Sequence, residues 1–72
     1  MYRFLVVIER AEGNYSAYAP DLPGCVATGD TVEEVERSMH EAIEMHVRGL
    51  LEDNLSVPAS YALSEYMAIA VP

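Results

Sequence analysis

The 72-residue chain has no lysine, no tryptophan, one phenylalanine and one cysteine. Each shortage closes a class of explanation. A single cysteine forms no internal disulfide, and with two histidines at wide spacing from it, it makes no structural zinc pattern. Four arginines face twelve aspartates and glutamates, for a formal net charge of -8. A phosphate backbone is repelled by such a surface, so direct nucleic-acid binding is not expected. No apolar run is long: Phe4 to Ile8 is stopped by Glu9 and Arg10, too short for an export signal or a membrane span. With a lone thiol, this places the protein in the cytoplasm.

What remains is 51% apolar, the composition of a folded globular chain. The length gives one domain, residues 1–72, with no repeat or low-complexity tract. A domain this small hides only about 60% of the surface its unfolded chain exposes. Disulfides and structural metal being excluded, association is the remedy left, and a homo-oligomer (dimer or tetramer), a partner, or both are expected. The charge favours a basic protein partner.

The pattern along the chain is α+β, in the order β-β-β-α-β. Tyr2 to Glu9 suits a strand, apolar on both faces and therefore expected at the centre of the sheet. Glu12-Gly13-Asn14 reads as a tight turn and Tyr15 to Ala19 as the returning strand, ended by Pro20. Leu22-Pro23-Gly24-Cys25 fits a type II turn, with Pro presetting φ and Gly accepting a positive one. Cys25 to Thr28 is a short third strand, broken by Gly29. Thr31 and Glu34 have the spacing of a capping box. The helix they open carries a stripe of Val32, Val35, Met39, Ala42, Ile43, His46, Leu50 and Leu51, with Gly49 a weak point, and stops near Asp53-Asn54. Tyr66 to Val71 alternates again, as a fourth strand laid parallel beside the first by a right-handed crossover. The expected architecture is a four-stranded mixed sheet with one long helix on one face. The other face stays open, although strands one and four are apolar on both sides, which again points to self-association.

Little in the chain carries catalytic chemistry. Cys25 follows a Pro-Gly turn, where a small buried thiol is ordinary, and packing is favoured over nucleophilic use. His40 and His46 lie about 240° apart around a helix and cannot share a metal. The run Glu33, Glu34, Glu36, Glu41 and Glu44 is only partly neutralised by i,i+4 arginines at Arg37 and Arg48. It reads either as a solvated helix face or as a surface for a basic partner. Tyr15 and Tyr18, on opposite faces of the second strand, suit an interface or the edge of a core. Partner contacts are therefore expected from Tyr15, Tyr18, Asp21, Glu33, Glu36, Glu41 and Glu44. The structural turn and cap are expected from Leu22, Pro23, Gly24, Cys25, Gly29, Thr31 and Glu34.

The run Tyr15-Ser16-Ala17-Tyr18, then Pro20-Asp21-Leu22-Pro23-Gly24-Cys25, Ala27-Thr28-Gly29-Asp30-Thr31 and Glu33-Glu34, resembles the HicB-like antitoxin family, and the likeness continues through Ala42-Ile43-Glu44 and His46. It covers about residues 2 to 71. The resemblance implies a degraded ribonuclease H-like fold without nuclease activity, no catalytic, cofactor or metal site, and a partner of HicA type: a small basic RNA-cleaving toxin, inhibited sterically. Many family members add a C-terminal DNA-binding domain. This chain ends at Pro72 after the last expected strand, so it is not expected to bind operator DNA alone. Ribonuclease H enzymes gather metal-binding carboxylates on the central strand; Tyr2 to Ile8 has none, and Glu9, Asp21 and Asp30 fall at strand ends or in loops. Two alternatives stand beside the antitoxin: an orphan homo-oligomeric scaffold of the same fold, and a residual metal-dependent nuclease using Asp21, Asp30 and Glu9.

Overall fold

The computed structural model describes residues 1–72. Three strands, β1 (Val7–Ala11), β2 (Asn14–Tyr18) and β3 (Val26–Gly29), precede one helix, α1 (Val32–Glu52). The strands form one antiparallel sheet in the order β1-β2-β3. Ile8 lies opposite Ala17, and Ala17 opposite Ala27. Side chains alternate along a strand, so these three share a face with Tyr15 and turn toward α1. Val7, Tyr18 and Val26 form the matching row on the opposite face. The core is Ala17, Ala19, Leu22, Cys25, Val35 and Met39, with Phe4, Val6, Tyr15, Ala27, Ala42 and Ile43 packed around it.

The corner between sheet and helix is built by local chemistry. Cys25 N–H donates to the Leu22 carbonyl at 3.1 Å across Pro23 and Gly24, and Gly24 has φ +81°, the geometry of a type II turn. Leu22 N–H donates to the Ala19 carbonyl and Ala19 N–H to the Cys25 carbonyl, which closes the corner and drives Leu22 into the core. No atom lies within 4 Å of a Cβ built on Gly24. The cost of a side chain there is thus purely one of backbone conformation, and Gly24→Val is expected to lose about 1–3 kcal/mol. An unchanged urea midpoint would contradict this turn.

At the helix start, Thr31 Oγ1 accepts from Glu34 N–H at 3.1 Å. Glu34 Oε2 accepts in return from Asp30 N–H at 2.9 Å, one residue before the cap. Glu33 and Glu34 occupy the positive end of the helix dipole. The other end has no basic residue in its last turn, and Asp53 is its cap. Helical spacing buries Val35, Met39 and Val47. Val47 lies outside the expected stripe but continues the i+4 row through Ile43, while Leu51 stays half exposed. Gly49 does not interrupt the helix.

Three expectations are corrected. The first strand starts at Val7 rather than Tyr2, and it is an edge rather than a central strand. Its partner β2 ends at Tyr18, opposite Val7, because the chain turns off toward Pro20; residues 2–6 have no partner and take part in no backbone–backbone hydrogen bond. Gly29 does not break the third strand: it is the last residue of β3, paired with Tyr15. The fourth strand expected at Tyr66–Val71 does not form, and the sheet is three-stranded and antiparallel instead of four-stranded and mixed. A strand exists only with a neighbour to bond. Beyond Leu55 no backbone group joins a backbone–backbone hydrogen bond. Tyr66, Met67, Ile69 and Val71 are each at least 75% exposed. The Cα radius of gyration is accordingly 14.5 Å, against about 11 Å for a compact chain of this length.

Candidate functional site

Three surfaces are displayed by this framework. The first is the open face of the sheet. Its row Val7, Tyr18 and Val26 runs across all three strands, with Tyr18 40% and Val26 64% exposed. Beside it Glu9, Ser16 and Thr28 form a polar row. The second surface is the outer side of α1, where Glu33, Glu36, Glu41 and Glu44 are all exposed. Only Glu44 has an ion-pair partner, Arg48 at 3.8 Å, and both side chains are largely in water. Such a pair contributes little. Glu33 and Arg37 do not pair, so most of this face keeps its charge.

The third surface is a groove of about 640 Å³. Tyr2, Phe4, Val6 and Ile8 line one wall, and Met39, Ile43, Val47 and Leu51 the other. Alternation in the N-terminal segment and i+4 spacing in the helix bring these residues together. The sheet contacts α1 mainly through β3, then β2, and the C-terminal half of the helix faces the unpaired N-terminal segment and Ile8 across the groove. Arg3, Glu36, His40, Glu44 and Arg48 also border the groove.

The residues singled out in the sequence divide among these places. Tyr18 stands on the open face. Tyr15 packs against the core on the helix side, so the two tyrosines do not form one surface. Asp21 is not simply displayed: its Oδ2 accepts from the N–H groups of both Tyr61 and Ala62 at 3.0 Å. It ties the segment after the helix to the sheet corner, a role that an acidic loop residue does not announce. Asp21→Ala is expected to reduce hydrogen-exchange protection at the Tyr61 and Ala62 amides about tenfold, since each bond is to a charged acceptor. Unaltered exchange at both amides would remove this tie from the account.

Leu22 and Cys25 are core residues, while Pro23 and Gly24 are exposed at the turn. Burial pushes the Cys25 thiol above its ordinary range. The thiol is therefore held in its unreactive neutral form. Alkylation at pH 7 is expected to be at least ~10-fold slower in the native than in the unfolded protein. The sign of the pH effect follows: a raised folded-state value stabilises the fold below the unfolded thiol's range, and this contribution is lost as pH rises through and above it. Equal labelling rates in the two states would contradict the burial.

Glu9, Asp21 and Asp30 do not converge, and no three His, Cys, Asp or Glu side chains gather where they could hold a metal ion. His40 borders the groove while His46 is half-buried elsewhere on the helix. No helix is long and apolar enough to cross a membrane. The sequence reading missed Val7 and Val26 as parts of a displayed row, and it missed the groove. The period-two pattern around Val26 was a usable signal for the row. The groove depends on where β2 ends.

Comparison with known proteins gives a consistent grouping. The model of the HicB_like antitoxin of bacterial toxin-antitoxin systems matches residues 4–70. A UPF0150 protein of Synechocystis is 33% identical over 72 residues, covering 99% of this chain and 91% of that protein. An uncharacterized 14.9 kDa protein from the rep-hol intergenic region of Haemophilus phage HP1 is 37% identical over 62 residues, which are 86% of this chain and 47% of the phage protein. The chain thus spans about half the length of that relative. A UPF0150 protein of Helicobacter pylori is 44% identical over 50 residues, 69% of each chain.

Proposed function

The chain belongs to the HicB-like antitoxin family, and on that premise we propose that it binds a small basic RNA-cleaving toxin of HicA type and inhibits it by covering its RNA-binding surface. The observation that carries this reading is the acidic outer face of α1. Glu33, Glu36 and Glu41 are exposed without an ion-pair partner on a chain of net charge -8. A surface that binds RNA phosphates is necessarily positive, so the same charges that exclude RNA from this chain attract the protein that cuts it. Tyr18 and the adjoining open sheet face supply the apolar part of the contact, since charge steers association and buried aromatic area holds it. The chain acts stoichiometrically, without catalysis of its own, as a single domain working in the cytoplasm. It also associates with itself. A fourth strand from Tyr66–Val71, supplied on association, completes the sheet toward the partial ribonuclease H-like form that the family resemblance implies.

The test is an RNA-cleavage assay. The tagged chain is recovered from its own cells and any co-eluting small basic protein is purified. Cleavage by that protein should stop at a fixed ratio of added chain. Changing Glu33, Glu36 and Glu41 together to Gln should slow association and flatten its salt dependence. Cleavage that continues unchanged in excess chain overturns the proposal. Recovery of the bait alone, as a defined oligomer, favours the orphan scaffold, for which the exposed apolar row is the supporting observation.

A further inference from the structure

Two stretches of this chain are apolar, lack backbone partners and yet do not meet. Residues 2–6 continue β1 along α1 and form one wall of the groove, with their N–H and C=O groups free of backbone bonds. Residues 66–72, Tyr-Met-Ala-Ile-Ala-Val-Pro, carry no charge, bond to no other backbone and project from the body, and none of them lines the groove. The base of this arm is not loose. Asp21 clamps Tyr61 and Ala62, and Ser60, Ala62, Leu63 and Ser64 share a small cleft with Phe4, Leu5 and Val6. The arm is thus delivered past the N-terminal segment of its own chain and leaves it.

We propose that residues 66–71 form an exchange arm that seats in the groove of a second copy of this chain and adds there as a strand to the free edge of β1 and residues 2–6. The inference deepens the self-association proposed above and is independent of any toxin. Three features select a second copy as the occupant. The edge of β1 and residues 2–6 offers unpaired N–H and C=O groups, a template for one more strand. The arm has the matching period: as a strand it puts Met67, Ile69 and Val71 on one side, against Phe4, Val6, Met39 and Ile43, and Tyr66, Ala68 and Ala70 on the other. The arm is also neutral, so it enters an apolar groove without stripping water from a charge. Because each copy has one arm and one groove, a two-fold axis satisfies both at once, and the contact closes as a dimer.

The experiment is sedimentation velocity on the full chain, without toxin, at micromolar concentration. A dimer of the 7.9 kDa chain is expected. Ile69→Asp alters a residue 76% exposed in the single chain, so it leaves the three-stranded sheet and helix of that chain intact. It should still weaken dimerisation by ~10-fold or more. Leu51→Asp, on the far wall of the groove, should do the same from the other side. Mixing the two variants pairs the intact arm of one with the intact groove of the other, and should restore heterodimer. Val26→Asp, on the open sheet face, should have no effect. A monomeric wild-type chain, a dimer unaffected by Ile69→Asp, or one broken by Val26→Asp overturns the exchange arm. A groove that fills only when a basic toxin is added also overturns it, while leaving the inhibitory reading intact.

Discussion

Leu22→Ala should unfold much of the population under conditions where the wild-type chain is folded. Leu22 has no exposed surface. It sits at the first position of the type II turn, whose hydrogen bonds to Ala19 and Cys25 carry its side chain inward between sheet and helix. Truncating a fully buried leucine costs about 2–5 kcal/mol, through lost transfer energy and the cavity left behind. The only other side chains buried to the same degree are Val35 and Met39, so little remains to close the hole. Native stability of small domains is only about 5–15 kcal/mol in total. Thermal unfolding should show the loss as a fall of roughly 4–8 °C per kcal/mol. A melting temperature within a few degrees of wild type would show that Leu22 is not the centre of this core.

Gly29→Ala should be the second most damaging change, from the opposite cause. A Cβ built on Gly29 would lie 2.7 Å from the Val35 backbone nitrogen and 3.1 Å from its Cα. Those atoms belong to the first turn of α1, pinned by Thr31 and Glu34, and cannot rotate aside as a side-chain tip would. Either β3 or the helix start must move, at a cost of about 1–3 kcal/mol. The diagnostic comparison is urea denaturation of Gly29→Ala beside Gly24→Val. The first fails because space is missing, the second because a backbone angle is. Gly24→Ala should therefore be nearly as costly as Gly24→Val, whereas Gly29→Ser should be no better than Gly29→Ala. A Gly29→Ala midpoint equal to wild type would mean that the close approach relaxes freely.

Which parts were readable from sequence follows from the range of the interactions involved. The turn at Leu22–Cys25 and the cap at Thr31 and Glu34 depend on residues within four positions of one another, and the residue types name the geometry. The amphipathic helix is legible for the same reason. Strand pairing is not local. Tyr2 to Ile8 and Tyr66 to Val71 both have the composition of strands, but whether they bond depends on a neighbour that the alternation does not specify. Hence β1 begins at Val7, where Tyr18 ends the partner, and the last segment forms no strand within one chain. The tie made by Asp21 is non-local in the same way: a carboxylate in a loop looks like a surface charge until the Tyr61 and Ala62 amides, forty residues on, are found beside it. The acidic helix face was visible because charge survives any rearrangement of neighbours.

The uneven cover over α1 gives that helix two different duties along one length. Its first turns are held by the cap, the close contact with Gly29 and the core at Val35 and Met39. Its last turns border the groove, with the N-terminal segment across it, and have no cation at their end. Amide exchange should therefore be graded along the helix, slow before Ile43 and fast beyond Val47, rather than uniform. Substitutions at the buried positions of the slow half are answerable to the fold, and those lining the groove in the fast half to the second copy seated there. A lineage can change how its copies associate by rewriting the last three turns without re-solving how the chain folds.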